Sequence, residues 1–511
     1  MTSVDNSPAM TGVVGLDSIL RGGLPRGRLF LIEGDPGVGK TTLALQFLME
    51  GVRLGERVIY VTLSETTEEI HAVAASHEWS LDGIHIYELT PPDALTSDEQ
   101  NTLFHPSEVE LAETMRGVID LCTRIKPHRV VLDSLSEIRL LAQSPLRYRR
   151  EVLALKQYFA GRGCTVLLLD DRTGPTGDAH LQSLAHGVLS LDQLAPLYGA
   201  HRRRLRVAKL RGVSYRGGYH DFEIQRGGLR VFPRLVASEH ARPFERGIVP
   251  SGIAGLDAML DGGLDRGTST LLLGPAGTGK SSIATLWASS MVARGERVAM
   301  YAFDEGLATL FARAHSLGYN LRRHVDAGQM VARQIDPAEM PPGKFADDVR
   351  EAVEAQGVGC VIIDSLNGYL NAMPDESFLV LQLHELLTFL AQQGVLTIVV
   401  VSQHGLVGSS MQSPTDVSYL ADTVLLLRHF EFQGELKKAI SVLKKRTGRH
   451  ENTIRELLLD AAGVNVGDPL QQFQGVLTGV PRLGTSLFES ERNGHDGRSR
   501  ARAQDEEGHA P

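Results

Sequence analysis

Cysteine is scarce in this chain: Cys122, Cys164 and Cys360 are the only three in 511 residues, and no two are spaced as CxxC. An odd number without metal-ligand spacing excludes a disulfide framework and a cysteine-rich zinc site, and it fits a reducing compartment. Long apolar runs are missing as well. No stretch approaches the ~20 apolar residues of a membrane span. Met1 to Met10 show no basic start leading into an apolar run, so the expectation is a cytoplasmic protein with no membrane segment. Positive charge is in deficit too, with a formal net charge of −9. That balance argues against a surface built to neutralise a nucleic-acid backbone.

Hydrophobic residues make up 42% and charged residues 22%, proportions that allow a packed interior. A single hydrophobic core stops growing at roughly 250 to 300 residues, so a chain of this length is expected to hold two domains. Laid against itself, the sequence repeats in register. Gly15-Leu16-Asp17 returns as Gly255-Leu256-Asp257, an offset of 240, and the same offset relates Gly34 to Gly274, Lys40 to Lys280 and Glu65 to Glu305. Solenoid periods run at ~20 to 50 residues, so the repeating unit here is a whole domain. The expected division is 1–242 and 243–487, with the polar, charged stretch 488–511 as a disordered tail. Short apolar runs alternate with helical patterns in the first copy, at Arg28 to Glu33, Arg57 to Leu63, Arg129 to Leu132 and Thr165 to Leu169. The second copy repeats them at Ser269 to Leu273, Val298 to Phe303, Cys360 to Ile363 and Thr397 to Val401. This alternation predicts an α/β fold, a mostly parallel sheet flanked by helices in each copy.

Two stretches carry the spacing of a phosphate-binding loop between a strand and a helix, GDPGVGKT from Gly34 to Thr41 and GPAGTGKS from Gly274 to Ser281. Gly34, Gly37 and Gly39, like Gly274, Gly277 and Gly279, let backbone N–H groups turn toward phosphates. The following helix N-terminus, with Thr42 or Ser282 in its first turn, adds partial positive charge. Lys40 and Lys280 are placed to reach the β- and γ-phosphates of ATP, and the hydroxyls of Thr41 and Ser281 to reach Mg²⁺. Asp133 and Asp364 each end an apolar strand, the position of a carboxylate that holds the hydrated metal. A group that orients or deprotonates the nucleophile belongs at the end of the strand after the first helix. That place holds Ser64 and Glu65 in one copy and Asp304 and Glu305 in the other. Later in each copy come Lys209-Leu210-Arg211 and Lys444-Lys445-Arg446.

With these motifs the chain resembles the KaiC family of circadian-clock ATPases and autokinases from about Thr11 to Leu483. The resemblance implies two tandem RecA-like P-loop NTPase domains, ATP and Mg²⁺ as cofactors, and regulatory protein partners. It also implies that Lys209, Arg211, Lys444 and Arg446 reach the γ-phosphate bound by the neighbouring subunit of a homo-hexameric ring. Glu65 and Glu305, the carboxylates at the same place in both copies, would carry hydrolysis. The segment around Ser418 is similar to the family's autophosphorylation segment, and Asp304-Glu305 would then act on the Ser418 hydroxyl. Ser64 and Asp304 stand where the family has a first glutamate, and Tyr419 where it has threonine.

The residues alone also leave open an ATP-gated scaffold of minimal turnover and a RecA-like DNA-dependent ATPase. The latter needs basic or aromatic loops after the fourth strands, and neither Asp170 to Asp178 nor Gln403 to Ser410 is strongly basic.

Overall fold

The computed structural model describes residues 7–89, 106–172, 179–196, 198–371, 378–403, 418–478 and 482–483. The tail expected at 488–511 lies outside them, as do the larger parts of the loops 173–178 and 404–410. The chain forms two compact units, one taking residues up to Leu235 together with Ala338–Arg350, the other starting at Val236 and taking the remainder.

In the first unit β1 (Leu29–Gly34), β2 (Val58–Thr62), β3 (Ile84–Glu88), β4 (Arg129–Asp133), β5 (Thr165–Asp171) and β6 (Gly187–Leu194) are followed by β7 (Arg202–Leu210), β8 (His220–Gln225) and β9 (Gly228–Phe232). They make one nine-stranded sheet in the order β3-β2-β4-β5-β1-β6-β7-β8-β9. Pairing is parallel from β3 to β6 and antiparallel from β6 to β9. The inner parallel strands β1, β2, β4 and β5 carry buried apolar runs because both faces are covered, while the edge strand β3 is part-exposed. Side chains alternate across each strand, so Phe30 and Ile32 enter one core cluster with Val58 and Tyr60, while Leu29 and Leu31 enter the other with Ile59 and Val61. Helix α1 (Lys40–Arg53) buries Leu43, Ala44, Phe47 and Leu48 on the first of these faces.

Arg129 opens β4 fully buried, donating to the carbonyls of Met10 at 2.6 Å and Phe47 at 2.8 Å and pairing with Glu56. Arg129→Ala leaves the buried Met10 and Phe47 carbonyls without this donor and Glu56 with Arg26 as its remaining cation, so it is expected to cost about 1–3 kcal/mol of stability, read as a lower urea midpoint.

The second unit repeats this plan with β10 (Ser269–Gly274), β11 (Arg297–Ala302), β12 (Met330–Gln334), β13 (Val358–Asp364), β14 (Leu396–Ser402), β15 (Thr423–Phe432), β16 (Glu435–Lys445), β17 (Arg455–Asp460) and β18 (Gly463–Pro469). Their order is β12-β11-β13-β14-β10-β15-β16-β17-β18. Among the described residues no helix is long and apolar enough to cross a membrane.

In both units the first strand lies inside the sheet and hands the chain to a helix at its C-terminal end. The crevice outside the carboxyl ends of parallel strands is where α/β sheets bind ligands.

Candidate nucleotide sites

Backbone conformation makes each phosphate loop. Gly37 and Gly39 have φ of +76° and +114°, and Gly277 and Gly279 of +78° and +100°, a region that side chains with a Cβ rarely enter. Gly34 and Gly274 are required for packing instead. A Cβ there would stand 2.6 Å from the carbonyl oxygen of Leu191 and 2.4 Å from that of Leu427, on the neighbouring strand.

In the first unit the Lys40 ammonium is buried and curls back onto its loop, donating to the carbonyls of Gly34 at 2.8 Å and Asp35 at 2.9 Å. It also pairs with Asp171, the last residue of β5, at 2.6 Å. The Thr41 hydroxyl, in the first turn of α1, donates to Asp133 at 3.0 Å, and the Tyr60 hydroxyl donates to the same oxygen. Burial pushes the Asp133 carboxyl up from its usual value, against the hydrogen bonds from Tyr60 and Thr41 and the charge of Lys40. Glu65 follows β2, with its backbone N–H held by the Thr62 hydroxyl at 3.0 Å. Its Oε2 is buried without a hydrogen-bond partner among the described residues. Burial, and then the charges of Asp133, Glu69 and Asp171, push the Glu65 carboxyl upward.

The second unit has the same backbone and different side-chain partners. Lys280 donates to the carbonyls of Gly274 at 2.9 Å and Pro275 at 2.7 Å, and burial lowers its ammonium to about 8. Where β5 carries Asp171 beside Gly34, β14 carries Ser402 beside Gly274, so no carboxylate stands at that place. Ser281 lies near enough to Asp364 to favour its charge, while the Asp364 Oδ2 is buried without a partner among the described residues and burial pushes the carboxyl up. Asp304 accepts from the Ser365 hydroxyl, and Glu305 is ion-paired with Arg313. Glu65 and Glu305 share a place in the repeat, then, and differ in surroundings.

Each site thus gathers a glycine loop, a helix N-terminus, a buried ammonium and a hydroxyl–carboxylate pair at one strand end, the parts that can take a phosphate chain and a divalent cation. The donors around the candidate cation position are hard oxygens. One of them, Asp364 Oδ2, is buried and unpartnered, which fits Mg²⁺ held by one or two carboxylates or hydroxyls together with substrate phosphates. Among the described residues no group of three or more His, Cys, Asp or Glu side chains could hold a metal by itself.

The two basic pairs are not part of the sites of their own unit. Leu210 pairs with Gly187, and Gly187 with Phe30, so the Lys209–Arg211 turn is level with the start of β1. Four residues of strand, about 13 Å at ~3.3 Å per residue, separate Phe30 from Gly34. Lys444 pairs with Val424, which is level with Leu271, likewise short of Gly274. The Lys209 ammonium rests on the carbonyl of Gln182, and Arg211 donates to that of Ser183 at 3.1 Å. Lys444 donates to the carbonyls of Ser418 at 3.2 Å and Ala421 at 2.7 Å, and Arg446 to that of Tyr419 at 2.9 Å. Ser418 is half-buried at this same edge, where Asp422 and Leu420 accept from Ser269 at the head of β10.

Sequence reasoning missed Tyr60, Asp171 and Arg313. The first two had a readable signal, a phenol within an otherwise aliphatic strand and a double aspartate at a strand end. Arg313 had none beyond its departure from Val73, its counterpart in the first copy.

The family model described as the KaiC ATPase matches residues 9–236 and 249–471. Among curated proteins the chain is similar to the circadian clock oscillator protein KaiC of Parathermosynechococcus lividus, 29% identical over 92% of this chain and 87% of that protein. It is 26% identical to the protein of the same name from Synechococcus elongatus, over 92% of this chain and 91% of the relative. The circadian clock protein KaiC3 of Synechocystis is also 26% identical, over 94% and 96%.

Proposed function

Since the chain belongs to the KaiC family of ATPases, we propose that it is a Mg-ATP-dependent ring ATPase with two hydrolytic sites per chain and a serine autokinase activity in its second domain, acting in signalling or circadian-type timing. The observation that carries this reading is the twin arrangement of a glycine loop with a buried lysine beside Thr41–Asp133 and Ser281–Asp364. Backbone N–H groups and Lys40 or Lys280 would bind the phosphates, and Thr41 with Asp133, or Ser281 with Asp364, would hold Mg²⁺, which would neutralise charge on the phosphates. Water attacks the γ-phosphorus as its bond to the bridging oxygen breaks. The electron pair leaves with ADP, and the water proton passes toward Glu65 or Glu305. The domains are taken as 1–242 and 243–487.

Ring assembly is supported by the position of the basic pairs. Cations at the far end of their own sheet reach a γ-phosphate only if another copy presents it, the heterologous contact that closes into a ring. Light scattering with a non-hydrolysable ATP analogue is expected to show a hexamer. A monomer at every nucleotide state and protein concentration contradicts the assignment.

The autokinase reading rests on Ser418, which lies at the same sheet edge as Lys444 and Arg446 and so faces the same neighbouring nucleotide. Its hydroxyl would attack the γ-phosphorus in place of water and pass its proton to Asp304 or Glu305. After incubation with Mg-ATP, mass spectrometry should find one phosphate on Ser418, and label that persists undiminished in Ser418→Ala refutes the site.

A further inference from the structure

The most informative difference between the two sites is a cation. Arg313 lies in helix α2 (Leu307–Ser316), which follows β11 and the Asp304-Glu305 turn. Its guanidinium pairs with the Glu305 carboxylate and also stands 3.4 Å from the Thr285 hydroxyl on the helix that begins with Lys280. The pair is close enough to the site for both partners to act on Asp364, Arg313 stabilising its charge and Glu305 opposing it. In the first unit the residue at the repeat offset is Val73, partly buried against the apolar core, and Glu65 keeps a buried oxygen without a hydrogen-bond partner among the described residues.

A carboxylate accepts a proton from attacking water through an oxygen lone pair aimed at that water. The Arg313 guanidinium takes one oxygen of Glu305, Oε1, and thereby fixes where the other points, so turning the carboxylate toward the attacking water works against a charge-assisted bond about twice as strong as a neutral one. The guanidinium also tethers Glu305 to the helix of the phosphate loop through Thr285, which sets where the carboxylate points.

Building on the ATPase reading above, we propose that Arg313 is a positioning residue that latches Glu305 and restrains hydrolysis at the second site, leaving the first site, with its unlatched Glu65, the faster of the two. Because the latch slows transfer to water, ATP bound in the second domain persists longer beside any competing nucleophile.

The test uses the full chain with Glu65→Gln, which silences the first site while keeping its nucleotide. In that background Arg313→Val, carrying the first copy's residue, is expected to raise kcat about tenfold with KM for ATP unchanged. That corresponds to loss of ~1.4 kcal/mol of restraint. Arg313→Gln, closer in shape, should raise it in the same direction, and Arg313→Lys, which keeps the charge, should stay near the parent. Adding Glu305→Gln should abolish the gain. Impaired folding lowers turnover, so a rise cannot come from structural damage. Turnover unchanged or reduced in both Arg313→Val and Arg313→Gln, or a gain that survives Glu305→Gln, overturns the latch. Failure of the ATPase reading looks different: the unmodified chain then releases no phosphate above the Lys40→Ala, Lys280→Ala double variant.

Discussion

Replacing Glu65 and Glu305 together by glutamine is expected to lower phosphate release by about 10²- to 10⁴-fold, the usual contribution of a positioned general base. Glutamine removes charge and basicity with little change of volume, and Lys40, Thr41, Lys280 and Ser281 stay in place, so ATP binding should survive. Ser64 and Asp304 are not expected to substitute in hydrolysis. Ser64 has no basic oxygen at neutral pH, and Asp304, whose Oδ2 accepts from the Ser365 hydroxyl, is one methylene shorter than the glutamates. The single variants separate the sites by pH. Glu65 works as a base only when ionised, and burial with the neighbouring Asp133 raises its carboxyl above the ordinary value. As pH falls, the turnover left in Glu305→Gln should therefore be lost at a higher pH than an ordinary carboxylate, near 4.3, would give. Undiminished phosphate release from the double variant contradicts the assignment, and an acid limb at the ordinary position contradicts the environment described for Glu65.

Arg211→Ala combined with Arg446→Ala is expected to lower turnover by 10³-fold or more, the scale set by arginine fingers in phosphoryl transfer. Among the described residues, these side chains bond within their own unit to groups at the strand ends remote from the phosphate loop, so the loss should come from the neighbour's site. Mixing supplies the check. Finger-deficient chains have intact phosphate loops, and Lys40→Ala, Lys280→Ala chains have intact fingers, so a mixed ring rebuilds complete sites where the two kinds meet in the right order. An equal mixture of the two inactive proteins should regain about a quarter of the unmodified activity, the statistical share of such contacts in a head-to-tail ring. No recovery on mixing, in rings shown to contain both chains, contradicts action in trans.

The nucleotide-facing elements were legible because their chemistry ties residue type to spacing. A loop that wraps phosphates needs glycines at set intervals and a lysine after the last, and the parallel strands covered on both faces read as apolar runs. The antiparallel extension was harder to read. β7 is RRRLRVAKL, partly exposed and opening on three consecutive arginines, so it has no continuous apolar run to mark it. The burial of Arg129 was not readable either: it is a charged residue at the head of a strand, fully buried with Glu56 and two carbonyls as partners. Most of what distinguishes the two sites was invisible in the chain itself. Lys40 with Asp171, Tyr60 with Asp133 and Ser365 with Asp304 join residues 61 or more positions apart, and only the folded sheet brings their ends together. The exact repeat of Glu65 at Glu305 suggested equivalent sites. Arg313 in place of Val73, together with Ser402 in place of Asp171, makes their surroundings unequal.

Incubation of the full chain with γ-labelled ATP and Mg²⁺, separating free phosphate from label on the protein, tests the two-site ATPase most directly. The expected result is phosphate release far above that of the Lys40→Ala, Lys280→Ala double variant, with a smaller protein-bound fraction that disappears in Ser418→Ala. Phosphate release no greater than the double variant's, from protein shown to bind ATP, contradicts the account.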